Sequence, residues 1–207
     1  MSLFVTFEGV EGAGKTTQIV RLATRLRSMG RQDILVTREP GDGALCRELR
    51  QLVLDPPVGV SVDERAELFI MLADRSQHVA HTIRPHLDHG GVVLCDRYAD
   101  SSMAYQGYGR GLDRDAIASM NQFATGGLTP HRTLLFDIDP GVGLTRQTHR
   151  TRMEGEAIAF HTRIRDGFQQ MAAAEPDRFR IIDASLPPDN VYDLVWGAVQ
   201  DLLGDAE

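Results

Sequence analysis

Gly9-Val10-Glu11-Gly12-Ala13-Gly14-Lys15-Thr16 fits the pattern G-x-x-x-x-G-K-[ST] and is followed by Thr17. Glycines let a backbone turn without a Cβ and aim successive N–H groups inward, a nest for phosphate oxygens at a helix N-terminus. A lysine at the seventh position can reach the β- and γ-phosphates, and the hydroxyl of Thr16 can ligate Mg²⁺. Lys15 is the only lysine of the chain; the other Lys/Arg positions are all arginine. It stands where a flexible point charge must thread between phosphates. Residues 9–17 read as a nucleotide-phosphate site.

Further polar groups follow apolar runs. Arg38-Glu39 comes after Asp33–Thr37, Asp96-Arg97 after Val92–Cys95, and Asp139-Pro140 after Thr133–Ile138. Asp96 is the expected Mg²⁺-side carboxylate, with Asp137 as its rival. A GTPase would need N-K-x-D for guanine, which a chain with its one lysine in the glycine loop lacks. A motor ATPase would carry a glutamate after the Mg²⁺-side aspartate to activate water. Here the next residue is Arg97, suited to holding a second phosphate. Arg146, Arg150 and Arg152 cluster between Gly141, Gly143 and Gly155. A mobile basic flap of that kind stabilises a transferring phosphoryl group and excludes water; a solvated charge run is the alternative. Together these features favour a small-molecule kinase.

Positioning these groups requires strands that end on one edge. Leu3–Phe7, Asp33–Thr37, Val92–Cys95, Thr133–Ile138 and Arg180–Asp183 read as strands. Helical spacing covers about 15–29, 45–54, a long segment from Asp63 to about Leu87, 113–124, the later part of 141–174, and 188–203. Gly107, Gly109 and Gly111 mark a loop. Alternating strands and helices give an α/β fold with a five-stranded parallel sheet flanked by helices, and ligands gather at the strands' C-terminal ends.

The chain has 207 residues and a formal net charge of −7. That length suits one domain, 1–207. The negative balance argues against a general nucleic-acid or membrane binder. Cys46 and Cys95 make no disulfide framework, no apolar run approaches the roughly 18 residues of a membrane span, and no leader pattern is present, so a cytoplasmic protein is expected.

Nearly the whole chain, in order, resembles the bacterial thymidylate kinases of the nucleoside monophosphate kinase superfamily. FEGVEGAGKTTQ, TREPG, RAELFIMLADRSQHV, DRYADSSMAYQGYGRGL and GLTPHRTLLFDIDPGVGL carry the likeness, as does the arginine-bearing segment after them. The resemblance implies a P-loop NTPase fold with a short Arg-rich lid at about 141–160, a homodimer, and transfer of the ATP γ-phosphate to dTMP with Mg²⁺. Lys15, Thr16 and the loop backbone would hold ATP phosphates and metal, with Asp96 reaching the metal. Glu11 would accept from the acceptor 3′-hydroxyl, and Arg38 and Arg97 would bind its 5′-phosphate. Arg75 would donate to the thymine O4, Ser102 and Gln106 would face the base, and Tyr105 the sugar. Arg146 would lie against adenine, and Arg150 or Arg152 would supply the catalytic cation. The alternatives are another pyrimidine monophosphate or a nucleoside as acceptor, with Glu39 as base in the latter case, or a non-catalytic nucleotide binder.

The chain departs from the family pattern at several points. TREPGDG replaces TREPGGT, Met71 stands where a phenylalanine commonly stacks on thymine, the lid is shorter, Thr151 replaces an aspartate, and Phe168 replaces a tyrosine. Of the remaining candidates, His78, His81, His86 and His89 read as a polar helix face rather than a metal site. Glu64, Glu67 and Asp74 read as solvated charge except where they orient Arg75. Phe69, Leu68, Leu72 and Trp196 read as core or interface.

Overall fold

A computed structural model describes residues 2–146, 152, 153 and 155–203. Five strands form one sheet in the order β2-β3-β1-β4-β5: β1 Leu3–Glu8, β2 Ile34–Arg38, β3 Val92–Asp96, β4 Arg132–Asp137 and β5 Phe179–Asp183. Every pairing is parallel, with Val5 opposite Leu94 and Arg132, and Val36 opposite Leu94. β1, β3 and β4 are continuous apolar runs because helices cover both faces of the sheet. Phe4, Val5, Phe7, Val93, Leu94 and Phe136 have no solvent exposure. The polar members are paired inside: the Thr6 and Thr133 hydroxyls meet at 2.8 Å.

The helices are α1 Lys15–Ser28, α2 Ala44–Leu54, α3 Glu64–His78, α4 Arg84–Asp88, α5 Ala99–Ser102, α6 Arg114–Thr125, α7 Pro140–Thr145, α8 Ile158–Ala174 and α9 Pro188–Gly197. Asp63, Asp113 and Asp139 cap α3, α6 and α7 with side-chain oxygens on first-turn N–H groups; such caps are typically worth about 1 kcal/mol. α1 has no side-chain cap. Gly14 precedes it in the left-handed region, φ 85°, so its first N–H groups stay open to a ligand.

Two segments differ from the sequence reading. The long helix from Asp63 does reach Asp88, but Val79–Ile83 winds as wide π-helical turns between α3 and α4. Pro85 lies in the first turn of α4, where its missing N–H is tolerated. The second difference is the expected glycine loop. Met103–Gly109 is also π-helical and continues α5, because Gly107 and Gly109 lie where a neighbour presses on the helix. A Cβ on Gly109 would stand 2.7 Å from the Phe160 ring. The last helix ends at Gly197, and a short 3₁₀ turn covers Gln200–Leu202. Trp196 is half-buried against the core, with the Arg25 guanidinium 3.6 Å above its ring.

Candidate active site

The C-terminal ends of β1, β2 and β3 open into a cavity of about 460 Å³. Its walls include residues 11–17, Arg38, Met71, Arg75, Asp96, Arg97, Ser102, Tyr105, Gln106 and Arg146. Gly9 and Val10 lie outside that lining, and Lys15 reaches them: its Nζ donates to their carbonyls at 3.0 and 2.9 Å. Most of the residues singled out by sequence thus surround one space.

Backbone geometry explains the glycines. Gly9 and Gly12 have φ of +131° and +71°, and a Cβ on Gly12 would stand 1.9 Å from the Gly143 carbonyl oxygen. The loop is therefore packed directly on α7. Gly14 by contrast faces open space, as a cradle for a ligand requires. Burial, then the nearby Arg97, lowers the Lys15 ammonium to about 8. The Thr16 hydroxyl donates to Asp96 Oδ2 at 2.9 Å, so a hydroxyl and a carboxylate share the loop's mouth.

Arg97 is the one described non-glycine residue at positive φ, 69°, a conformation that costs roughly 1–2 kcal/mol. The kink turns its guanidinium across the cavity, to Glu11 Oε1 at 3.1 Å and the Ser101 hydroxyl at 3.2 Å. Tyr105 also donates to Glu11 Oε1. Burial disfavours the Glu11 charge, but Arg97, His161, Tyr105 and Lys15 outweigh it and hold the carboxyl at about 2.

Arg50 was not singled out by sequence. It borders the same cavity from α2 and donates to the Pro40 carbonyl at 2.7 Å. Burial, followed by the positive charges of Arg38 and Arg97, lowers its pKa from the ordinary value. Three guanidiniums therefore converge on one end of the cavity, a field that selects an anion. Nothing in the sequence marks it: its path depends on Gly41, at φ +113°, whose missing Cβ would stand 2.5 Å from Arg50 Cδ.

The opposite wall is built on α3. Arg75 is 2% exposed and has five N–H donors. Nε donates to Glu39 Oε2 at 2.8 Å, Nη1 to Ser102 and Asn121, and Nη2 to the Tyr98 carbonyl. Those bonds occupy four donors and leave one Nη2 hydrogen unassigned among the described residues, on a side chain that borders the cavity. Gln106 Nε2 donates to Glu67 at 2.7 Å, and Met71 is half-buried on the same wall. Phe168 is buried and meets Tyr105 edge-on at 6.5 Å.

Three expectations about charge on α3 are corrected. Glu67, Asp74 and His78 are buried, at 0%, 0% and 1% exposure. Glu67 receives Gln106, Arg110 and Arg152, while Asp74 receives the Gly41 N–H at 2.9 Å. Their partners come from distant segments, which helix periodicity does not register. Phe69 in turn is 59% exposed while Leu68 and Leu72 are buried.

Among the lid arginines, Arg146 borders the cavity and donates to the Gly12 and Ala184 carbonyls at 3.3 and 3.4 Å. Arg152 turns the other way, to Glu67 Oε2 at 2.5 Å and the Val53 carbonyl at 3.1 Å. Arg150 and Thr151 lie outside the described residues.

The model of one protein family, described as thymidylate kinase, matches residues 7–195. The chain belongs to the thymidylate kinase family. The thymidylate kinase of Solidesulfovibrio magneticus is 50% identical over 211 residues, covering 97% of this chain and all of that one. That of Desulfovibrio desulfuricans is 52% identical over 199 residues, 91% of each chain. The crystal structure of thymidylate kinase from Ehrlichia chaffeensis superposes with a TM-score of 0.77 at 32% identity, covering 94% of this chain and 97% of that chain. The P-loop NTPase fold, a five-stranded parallel sheet flanked by helices, matches that of this thymidylate kinase structure.

Proposed function

We propose that this chain transfers the γ-phosphoryl group of ATP to dTMP, giving ADP and dTDP. The observation that carries this reading is one cavity with a phosphate-binding glycine loop on one side, three arginines opposite, and a single spare N–H from Arg75 on the far wall. A nucleotide 5′-phosphate near neutral pH is largely dianionic, so its oxygen needs no general base. What it needs is relief of repulsion from the donor's phosphates, which guanidiniums on the acceptor side supply.

In this reading residues 9–17 hold the ATP phosphates and Arg146 lies against the adenine. Arg38, Arg50 and Arg97 grip the acceptor phosphate. Glu11 and Tyr105 face the sugar, and Arg75, Ser102, Gln106 and Met71 face the base. Thr16 and Asp96 offer oxygen donors of the kind Mg²⁺ takes, and bound Mg²⁺ would neutralise charge developing on the phosphates. The lid cation is Arg150 or Arg152. A nucleoside acceptor would require Glu39 as base, yet both its oxygens are already engaged by Arg75 and His78.

Phe69 and Phe123, 59% and 88% exposed on α3 and α6, support a homodimer formed through those helices. The buried free cysteines Cys46 and Cys95 agree with a reducing cytoplasm, and the common cavity supports a single domain.

A coupled ADP-release assay across dTMP, dUMP, UMP, CMP, dGMP and AMP tests the reading. Turnover greatest with dTMP is expected; another acceptor turned over while dTMP is not would overturn it.

A further inference from the structure

Five side chains make a continuous hydrogen-bonded line from solvent to the cavity wall. Asp42, with 39% side-chain exposure, accepts from the Thr37 hydroxyl. Thr37 Oγ1 faces His78 Nε2 at 2.7 Å, His78 Nδ1 faces Glu39 Oε1 at 2.9 Å, and Glu39 Oε2 accepts from Arg75 Nε at 2.8 Å. Every member beyond Asp42 is buried.

Proton counting fixes the direction of these bonds. A hydroxyl carries one hydrogen. Thr37 gives it to Asp42, so it accepts from His78, and Nε2 bears a proton. A carboxylate only accepts, so the contact between Nδ1 and Glu39 needs a second proton on one of those two atoms. Without the Asp42 carboxylate, the Thr37 hydroxyl is free to donate to Nε2, and a His78 protonated on Nδ1 alone completes the line. Asp42 therefore commits the closed line to one additional proton.

We propose that His78 is a positioning residue for Arg75, holding the Glu39 carboxylate that aims the guanidinium at the acceptor base, and that Asp42 links this hold to one bound proton. This role rests on the proposed contact between Arg75 and the base. Charged groups stand around the His78–Glu39 pair. Glu39 and Asp42 come from the segment after β2, and Asp74 and Arg75 from α3 itself. Arg50 on α2 faces Asp74, and the neutral side chains of Cys46 on α2, Cys95 on β3 and Tyr98 lie near Glu39. Three carboxyl groups and two guanidiniums thus surround the line. Burial, and after it Glu39, raises Asp74 to about 6.

The test is steady-state kinetics on the full chain, with KM for dTMP and for ATP measured from about pH 6 to 9. His78→Gln should raise KM for dTMP about tenfold while KM for ATP stays within about twofold. Relative to Asp42→Ala, the unsubstituted chain should lose dTMP affinity by roughly threefold or more as pH rises, the substrate's own ionisation cancelling in the comparison. An unchanged KM for dTMP in His78→Gln, or parallel pH profiles with and without Asp42, overturns the proposal. Should His78→Gln fail to fold, the comparison with the half-exposed Asp42 decides alone. Arg75→Ala separates the two levels. If it leaves KM for dTMP unchanged, the base contact itself is wrong; if it raises KM while the other two variants do nothing, only the positioning role falls.

Discussion

Arg75 Nε and Glu39 Oε2 meet at 2.8 Å with side-chain exposures of 2% and 3%. Such a buried pair is weak evidence for stability in itself, because desolvation offsets most of the attraction. Its value is geometric: with four donors fixed on Glu39, Ser102, Asn121 and Tyr98, the guanidinium cannot rotate, and its remaining N–H has one direction.

Arg75→Ala should therefore act twice. It leaves Glu39 buried without its cation, so a urea unfolding curve should show a loss of about 3–5 kcal/mol. KM for dTMP should rise far more than KM for ATP. Arg75→Lys should not restore dTMP use, since a point charge cannot reproduce the planar fork.

The lid arginines can be told apart by kinetics. Loss of the cation that stabilises the transferring group should lower kcat by about 10²–10³ with little change in KM for dTMP. Arg150→Ala and Arg152→Ala, assayed side by side, should show this loss in one of the two. For Arg152 the result also reports whether it leaves Glu67 during turnover. Full kcat in both variants would remove the lid cation from the mechanism.

Gly12→Ala should be severely disruptive. Its φ is +71° and the new Cβ would stand 1.9 Å from the Gly143 carbonyl oxygen, where only backbone could give way. We expect a loss of roughly 2–4 kcal/mol in thermal or urea unfolding. Gly14→Ala, at φ +85° with open space around it, should destabilise less and impair ATP binding more. The ratio of ATP affinity to stability loss distinguishes the two positions.

Glu8 makes a prediction about pH. It is fully buried at the end of β1, accepting from the Tyr98 N–H at 2.7 Å and the Ser101 hydroxyl at 2.6 Å. Burial, then the charge of Asp100, raises its carboxyl from 4.5 to about 8. The folded chain then keeps a proton that the unfolded chain releases near 4.5, so this contribution is full below that pH and lost as pH rises towards 8. Asp74 acts with the same sign only up to about 6, so from pH 6 to 8 the difference between Glu8→Gln and the unsubstituted chain reads Glu8 itself. Urea midpoints should fall across that window by the equivalent of roughly 2–3 kcal/mol, and Glu8→Gln should flatten the fall.

The sheet, the glycine loop and the residues at the strand ends were legible because their signals are local. An apolar run, a glycine at fixed spacing and a polar residue just past a strand each depend on near neighbours in sequence. Glu67, Asp74 and His78 were misread for the opposite reason. A charge on a helix is solvated by default, and only the arrival of Arg110, Arg152, Gly41 and Glu39 from other segments allows its burial. Met103–Gly109 was misread because glycines signal a loop until one sees Phe160 and Arg114 pressing on them. Arg50 gave no signal of its own; it becomes a site residue only when Gly41 lets its chain cross.

β3 lies between β1 and β2, so the glycine loop and Arg38 hang from strand tips two spacings apart, about 9–10 Å, with Asp96 and Arg97 on the tip between. That interval is a gauge ruled by main-chain hydrogen bonds, set before either substrate arrives and untouched by exchange of any side chain. A protein built on such a gauge can alter the base it admits, by a change at Met71, while the gap between the two phosphate grips stays constant.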